Sequence, residues 1–240
     1  LDSQNPEKLW EFLEAYEIKT GGDIMAIPHN GNISNGMMFQ LTTVSGEPIS
    51  EAWTQTRIKW EPLYEVTQVK GDGEAHPFLS PDDEFSDYET WDADNIGRTA
   101  TKKNEMLQYE YGRSALKIGL RVEDELGTNP YEFGLIGSTD SHTTLSTADD
   151  NNFYGKFKDS EMTPDRMSNQ MGGMLWSNWK LAASGYMGVW ADENTREGLF
   201  DAMQRKEVYA TTGPRIALRF FASWNFSKAD RKKKHCHCWI

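Results

Sequence analysis

The sequence predicts an α/β fold in which βα units build a mainly parallel sheet. Three observations carry that expectation. Apolar runs of strand type occur at residues 23–27, 63–69 and 133–136, helical periodicities lie between them, and loops rich in Gly, Pro and Asp follow each run. Strands that alternate with helices close into an α/β barrel or form an open α/β sheet. The 240 residues are 38% hydrophobic and 12% aromatic, enough for a packed core in one large domain or two small ones. No internal repeat or linker divides the chain, so residues 1–230 read as one domain.

Asn5 or Ser3 caps a first helix with Pro6 in its opening turn. Leu9, Trp10, Leu13 and Tyr16 follow at helical spacing, and Gly21-Gly22 ends it. The strand at 23–27 opens into Pro28-His29-Asn30-Gly31-Asn32. A second helix is expected over 48–59, and the strand at 63–69 opens into a loop holding Glu74, His76 and Pro77. Residues 81–101 are acidic and read as a surface loop. Met106, Tyr109, Arg113, Leu116 and Leu120 predict one long helix over 103–126, stopped by Gly127. The strand at 133–136 opens into Gly137-Ser-Thr-Asp140-Ser-His142-Thr143. The Gly- and Met-rich stretch 155–189 reads as a loop over a site. A helix over 193–205 follows, and residues 208–216 lead to a last strand at 217–221.

Net charge is −12 and the isoelectric point about 4.9. Nonspecific nucleic-acid binding needs a basic face to displace counterions, so that class is excluded, whereas a small anionic substrate is not. No stretch approaches the roughly 20 apolar residues of a spanning helix, so no membrane partner is expected. A soluble protein, periplasmic or cytoplasmic, fits. The chain starts Leu1-Asp2-Ser3 without a signal-peptide core. Residues 231–240 contain the run His235-Cys-His-Cys238 and read as a non-native tail, because ligands this crowded rarely close a structural zinc site. The rest has no cysteine, which excludes a disulfide framework.

The chemistry concentrates on His29, His76 and His142, the histidines of residues 1–230. Each follows a strand-like run, and loops at the carboxyl ends of parallel strands converge on one face where active sites form. Imidazoles with carboxylates are the ligand set of zinc, manganese or iron. Asp140 and His142, separated by one residue, can point the same way and bind one ion or two adjacent ions. Alternatively Asp140 caps a turn and His142 is a surface imidazole. Glu74, two residues before His76, is a second ligand, a general base or a loop carboxylate. Asn30 and Asn32 read as turn formers. Glu65, inside a strand, is expected to ion-pair with a core-facing Lys or Arg. Thr211-Thr-Gly-Pro-Arg215 suits either an anion clamp or a structural turn with Arg215 in a surface salt bridge. No nucleophile elbow, Walker loop or dinucleotide fingerprint follows a strand.

Four segments also carry a resemblance: Ala26-Ile-Pro-His-Asn-Gly-Asn32, Glu65-Val-Thr-Gln-Val-Lys-Gly-Asp-Gly-Glu-Ala-His-Pro77, Asn129-Pro-Tyr-Glu-Phe-Gly-Leu-Ile-Gly-Ser-Thr-Asp-Ser-His-Thr143 and Ala210-Thr-Thr-Gly-Pro-Arg-Ile216. Over residues 1–230 the chain resembles a bacterial domain-of-unknown-function family related to the polymerase and histidinol phosphatase (PHP) superfamily of metallohydrolases. The resemblance implies a distorted (β/α) barrel with two or three divalent ions at the carboxyl ends of its strands and an activity centred on phosphoester hydrolysis. His29 would match the mid-chain histidine ligand, Asp140 and His142 the closing Asp-x-His pair, and His76 the remaining late ligand. PHP proteins open with a His-x-His strand, which is not found upstream of His29, so the resemblance implies an incomplete barrel lacking its first strands. The expected function is therefore metal-dependent hydrolysis of a small molecule, a phosphoester first. The alternatives are an esterase, lactonase or amidohydrolase, or a non-catalytic metal-binding remnant. Glu74 would carry the proton and Arg215 contact the anion.

Overall fold

The computed structural model describes residues 3–142 and 185–230, with 156, 163–165, 167–168 and 178–181 between them. Helix α1, Pro6–Thr20, starts where the Asn5 side chain accepts the Glu7 amide at 2.9 Å. It stops at Gly21, whose φ of 69° is a left-handed conformation that costs glycine no Cβ clash. Its buried face, Trp10 and Leu13, packs on Trp60 of α2, Glu51–Trp60. Trp10 meets Trp53 edge-on at 5.2 Å and donates its indole N–H to Glu61 at 2.9 Å. Arg57 of α2 is buried. Its Nε lies 3.0 Å from Glu61, and its guanidinium stands 4.9 Å from the Tyr131 ring.

Strand β1, Leu63–Gln68, is the centre of a three-stranded sheet. It pairs antiparallel with the short β2, Gly71–Asp72. The helices α3, Asn104–Leu107, and α4, Gly112–Leu126, then cross over to β3, Gly134–Gly137, which runs parallel to β1. Parallel neighbours require such a crossover. The apolar face of α4 (Ala115, Ile118, Val122) packs with Tyr64 and Val66 of β1, Phe39 and Tyr131 into one core. A second sheet pairs β4, Met187–Val189, antiparallel with β5, Val208–Ala210, across α5, Arg196–Gln204. β5 lies alongside β3.

Three expectations about elements are corrected. The long helix over 103–126 is two helices. Tyr111 is extended, and the first two amides of α4 are satisfied by the 73–74 loop: Gly112 N donates to Gly73 O at 2.8 Å and Arg113 N to Glu74 O at 2.9 Å. A tertiary partner thus outbids helix continuation. Residues 23–27 form no regular strand, although the chain passes beside β1, with Glu65 N donating to Pro28 O at 3.0 Å. Residues 217–221 form no ladder either. The strand nearby is β5, and Leu218 and Phe220 stand exposed. Most of the expected loop over 155–189, and the tail 231–240 with its two cysteines, lie outside the described residues, and the end of that expected loop, Met187–Val189, is strand β4 because it pairs with β5. Among the described residues no helix is long and apolar enough to cross a membrane.

Candidate functional site

The parallel pair β1–β3 brings Glu65 and the 138–142 segment together at its carboxyl end. The ladder shifts register between Glu65 and Thr67, and Ser138 N then bonds to Thr67 O at 3.0 Å. Irregularities of this kind re-aim side chains. Here the Ser138 hydroxyl donates to Glu65 Oε2 at 2.8 Å while its oxygen accepts the Asp140 amide at 3.2 Å. Gly137 sits under Thr211, and a Cβ there would lie 2.7 Å from Thr211 O, so only glycine lets the 211–215 segment close over β3.

Asp140 is the hub. Its backbone is left-handed, at φ 50°. Its Oδ2 receives the ammonium groups of both Lys70 and Lys156, and its Oδ1 lies 3.2 Å from His142 Nε2. Lys156 Nζ also lies 3.1 Å from Asp140 O and 3.1 Å from His142 Nε2, while His142 N donates to Lys156 O at 2.9 Å. Burial alone would raise the Asp140 carboxyl, but the hydrogen bonds from Lys156 and Lys70 outweigh it and hold the group below the ordinary carboxylate range. Burial lowers the Lys156 ammonium despite its bond to Asp140. Burial also raises Glu65, opposed in part by the Ser138 bond and by the positive influence of His29.

The loop at 28–32 completes this end of the sheet. His29 is exposed, its Nδ1 3.4 Å from Ile27 O. The Gln68 amide donates to Asn30 Oδ1 at 2.6 Å, and the Asn32 amide donates to Lys70 O at 3.1 Å, so both asparagines hold neighbouring strand ends in place. The ion pair expected for Glu65 does not form among the described residues. Oε2 takes the Ser138 hydroxyl, and Oε1 is buried with no hydrogen-bond partner.

His76 and Glu74 stand in a different neighbourhood. The His76 ring is buried, with Nδ1 accepting the Phe78 amide at 3.1 Å and Nε2 lying 3.0 Å from Asp92 Oδ2. The first bond places the proton on Nε2, which therefore donates to Asp92. Glu74 binds Arg113 at 2.7 Å, and the other arm of that guanidinium binds Asp83 at 2.6 Å. Glu74 lines a cleft of about 230 Å³ with Arg113, Ser114 and Lys117, and neither His76 nor Asp140 is among its lining residues. Arg215 stacks on the Tyr186 ring at 4.2 Å, donates to Gly213 O and lies 3.5 Å from Thr211 Oγ1.

Asp72, in the same loop as Glu74, provides a pH test. It accepts the amides of Glu74 and Ala75 at 3.0 and 3.1 Å, yet burial outweighs these bonds and pushes its carboxyl up to about 7. A folded-state value above the unfolded one means that the folded chain binds the extra proton. The stabilisation is complete in acid and is lost as pH rises from about 4 through about 7. Between pH 4 and 8, Asp72→Asn is expected to gain up to about 4 kcal/mol relative to the native chain. Urea unfolding at both pH values reads this difference. An unchanged difference would reject the assignment.

Could the Asp140 end hold an ion? Two donors each about 2.0–2.1 Å from a tetrahedral zinc stand about 3.3 Å apart. The Asp140 Oδ1 to His142 Nε2 separation of 3.2 Å meets that spacing. The unpartnered Glu65 oxygen is a further anionic donor nearby. Among the described residues, no three His, Cys, Asp or Glu side chains are close enough to enclose an ion. What this end offers an ion among the described residues is therefore one pair of adjacent donors, Asp140 Oδ1 and His142 Nε2.

The family described as "Protein of unknown function (DUF3604)" matches residues 1–237. The chain belongs to this family. No curated protein matches the DUF3604 chain, and no solved structure does. Reading residues without the fold singled out Asp140, His142 and His29 of this end. It passed over Ser138, Lys70 and Lys156, and it assigned Glu65 to an ion pair. The missed signal was a lysine directly after a strand and a serine two residues before the Asp-x-His pair.

Proposed function

We propose that this DUF3604 chain carries part of the active site of a divalent-metal-dependent hydrolase of phosphate esters, in a (β/α) barrel of PHP type. The observation that carries the reading is the 3.2 Å pairing of Asp140 Oδ1 with His142 Nε2 at the carboxyl end of a parallel strand pair, beside the unpartnered oxygen of Glu65. Asp140 and His142 would hold the ion, with Glu65 and His29 as the nearest additional donors. A bound zinc, manganese or iron ion would acidify a water and polarise the phosphoryl group.

The chain's own residues prepare that chemistry. Lys70 and Lys156 keep Asp140 ionised, as a ligand must be. Ser138 orients Glu65, whose carboxyl burial pushes above the usual range, the direction that suits a group holding and returning a proton. That role falls to Glu65 more naturally than to Glu74, which is spent on Arg113. Arg215, held above the end of β3 by the 211–215 segment, is the candidate for an outer anion contact.

One observation favours the alternative of a non-catalytic metal-binding protein: no third donor closes the shell among the described residues. Hydrolysis of p-nitrophenyl phosphate and p-nitrophenyl acetate, before and after chelation, separates the readings. The expected result is phosphate-ester turnover that disappears on chelation and returns with Mn²⁺ or Zn²⁺. Turnover that survives exhaustive chelation would overturn the metal. Preference for the acetate would move the substrate to carboxylic esters, and ion uptake without turnover would support the binding protein.

A further inference from the structure

Helices α1 and α2 pack through Trp10, Trp53 and Trp60, and the groove between them and the 42–48 turn stays open. It is a cleft of about 770 Å³, a size that suits a small molecule. The three tryptophans line it together with Glu7, Glu11 and Glu14 of α1, Glu47 of the turn and Lys59 of α2. Glu11 is taken by Lys8 at 2.6 Å, whereas no cation pairs with Glu7, Glu14 or Glu47 among the described residues. Carboxylates set between low-dielectric walls focus a negative field and draw cations in.

The chain places one cation there itself. Lys59 Nζ stands 3.9 Å from the centre of the Trp60 ring, a cation–π contact. This ammonium is loosely held, since the Lys59 side chain is 53% exposed and its ion pair with Glu17 is 3.5 Å long. An ammonium on an indole beside carboxylates is thus a contact the cleft already makes, and one that an incoming ammonium can take over.

Trp53 also borders a second cleft, of about 220 Å³. Glu7, Thr43 and Trp53 line both, so the two adjoin. The cation of the second cleft, Arg57, is spent on Glu61 at 3.0 Å. Met37 and Val44 line it as well, and each is about half exposed, which leaves apolar surface uncovered next to the carboxylates.

We infer that the adjoining clefts form a binding site for an amphiphilic organic cation, with its ammonium among Glu7, Glu14, Glu47 and the tryptophan rings and its apolar chain against Met37 and Val44. The site does not depend on the hydrolytic reading of the β1–β3 end.

The test is calorimetric titration of the native chain with n-hexylammonium, methylammonium, n-hexanol and n-hexanoate at fixed ionic strength, repeated on the double variant Glu14→Gln, Glu47→Gln and on Lys59→Ala. The three substituted side chains are exposed, and thermal midpoints verify that both variants fold. Hexylammonium is expected to bind, with hexanol and hexanoate at least tenfold weaker. Methylammonium should also be at least tenfold weaker, because each buried methylene is worth about fourfold in affinity. The double variant should weaken hexylammonium about fivefold, and Lys59→Ala, which vacates the Trp60 ring, should tighten it. Absent hexylammonium binding, hexanol or methylammonium binding of equal strength, or affinity unchanged in both folded variants would overturn the site.

Discussion

Asp140→Ala is expected to abolish the proposed hydrolysis and to lower the unfolding free energy by about 3–5 kcal/mol, because two buried ammonium groups lose the carboxylate they share. A smaller part of the loss comes from the backbone. The φ of 50° suits Asp, Asn or Gly, whereas alanine pays a steric cost there. Asp140→Asn separates the two effects. It keeps the left-handed conformation and the side-chain shape, so it should fold better than the alanine variant, yet an uncharged amide is a poor ion ligand and activity should still be lost. Urea unfolding and p-nitrophenyl phosphate turnover, measured on both variants, check this. An asparagine variant that turns over at the native rate would remove Asp140 from the chemistry.

The second large effect lies beneath the site. Glu110 is fully buried, with Lys102 Nζ 2.5 Å from Oε2 and the Gly36 amide donating to Oε1 at 2.8 Å. The same ammonium reaches Asn32 O at 2.5 Å, and Asn32 in turn holds Lys70 O. Lys102→Met leaves a buried carboxylate without its cation, and stability should fall by about 3–5 kcal/mol. Adding Glu110→Gln removes the uncompensated charge and should recover a large part of that loss. Denaturant midpoints of the two single variants and the double variant form the cycle. A Lys102→Met variant as stable as the native chain would mean that the pair contributes no structure to the 31–36 loop.

How far these features were legible in the sequence depended on whether their causes were local. The Asn5 cap, the Gly21 stop, the β1 and β3 runs and the Gly127 stop are set by neighbours a few residues away, and each stands where periodicity and capping place it. The break between α3 and α4 was not legible, because the carbonyls that capture the α4 amides come from Gly73 and Glu74, some 39 residues earlier. Glu65 was misjudged for a similar reason. A strand carboxylate suggests a cationic partner, yet the register shift in β1 hands it to Ser138. The histidines show the limit of reading loops by position alone. His29 and His142 lie at the carboxyl end of the β1–β3 pair, while His76, on an equally plausible loop, turns both ring nitrogens to Phe78 and Asp92. Lys70 and Lys156 escaped notice because only the fold brings them to one carboxylate oxygen.

Ion stoichiometry in the native chain and in His142→Ala tests the central claim most directly. The His142 side chain is half-exposed, so its removal should leave the thermal midpoint nearly unchanged. Elemental analysis is expected to find at least about one equivalent of zinc, manganese or iron per native chain, falling several-fold in the variant, as two-donor anchoring requires. A native chain that takes up no ion when supplied with these metals, or equal ion content in both proteins, would contradict the assignment of this end of the sheet as a metal centre.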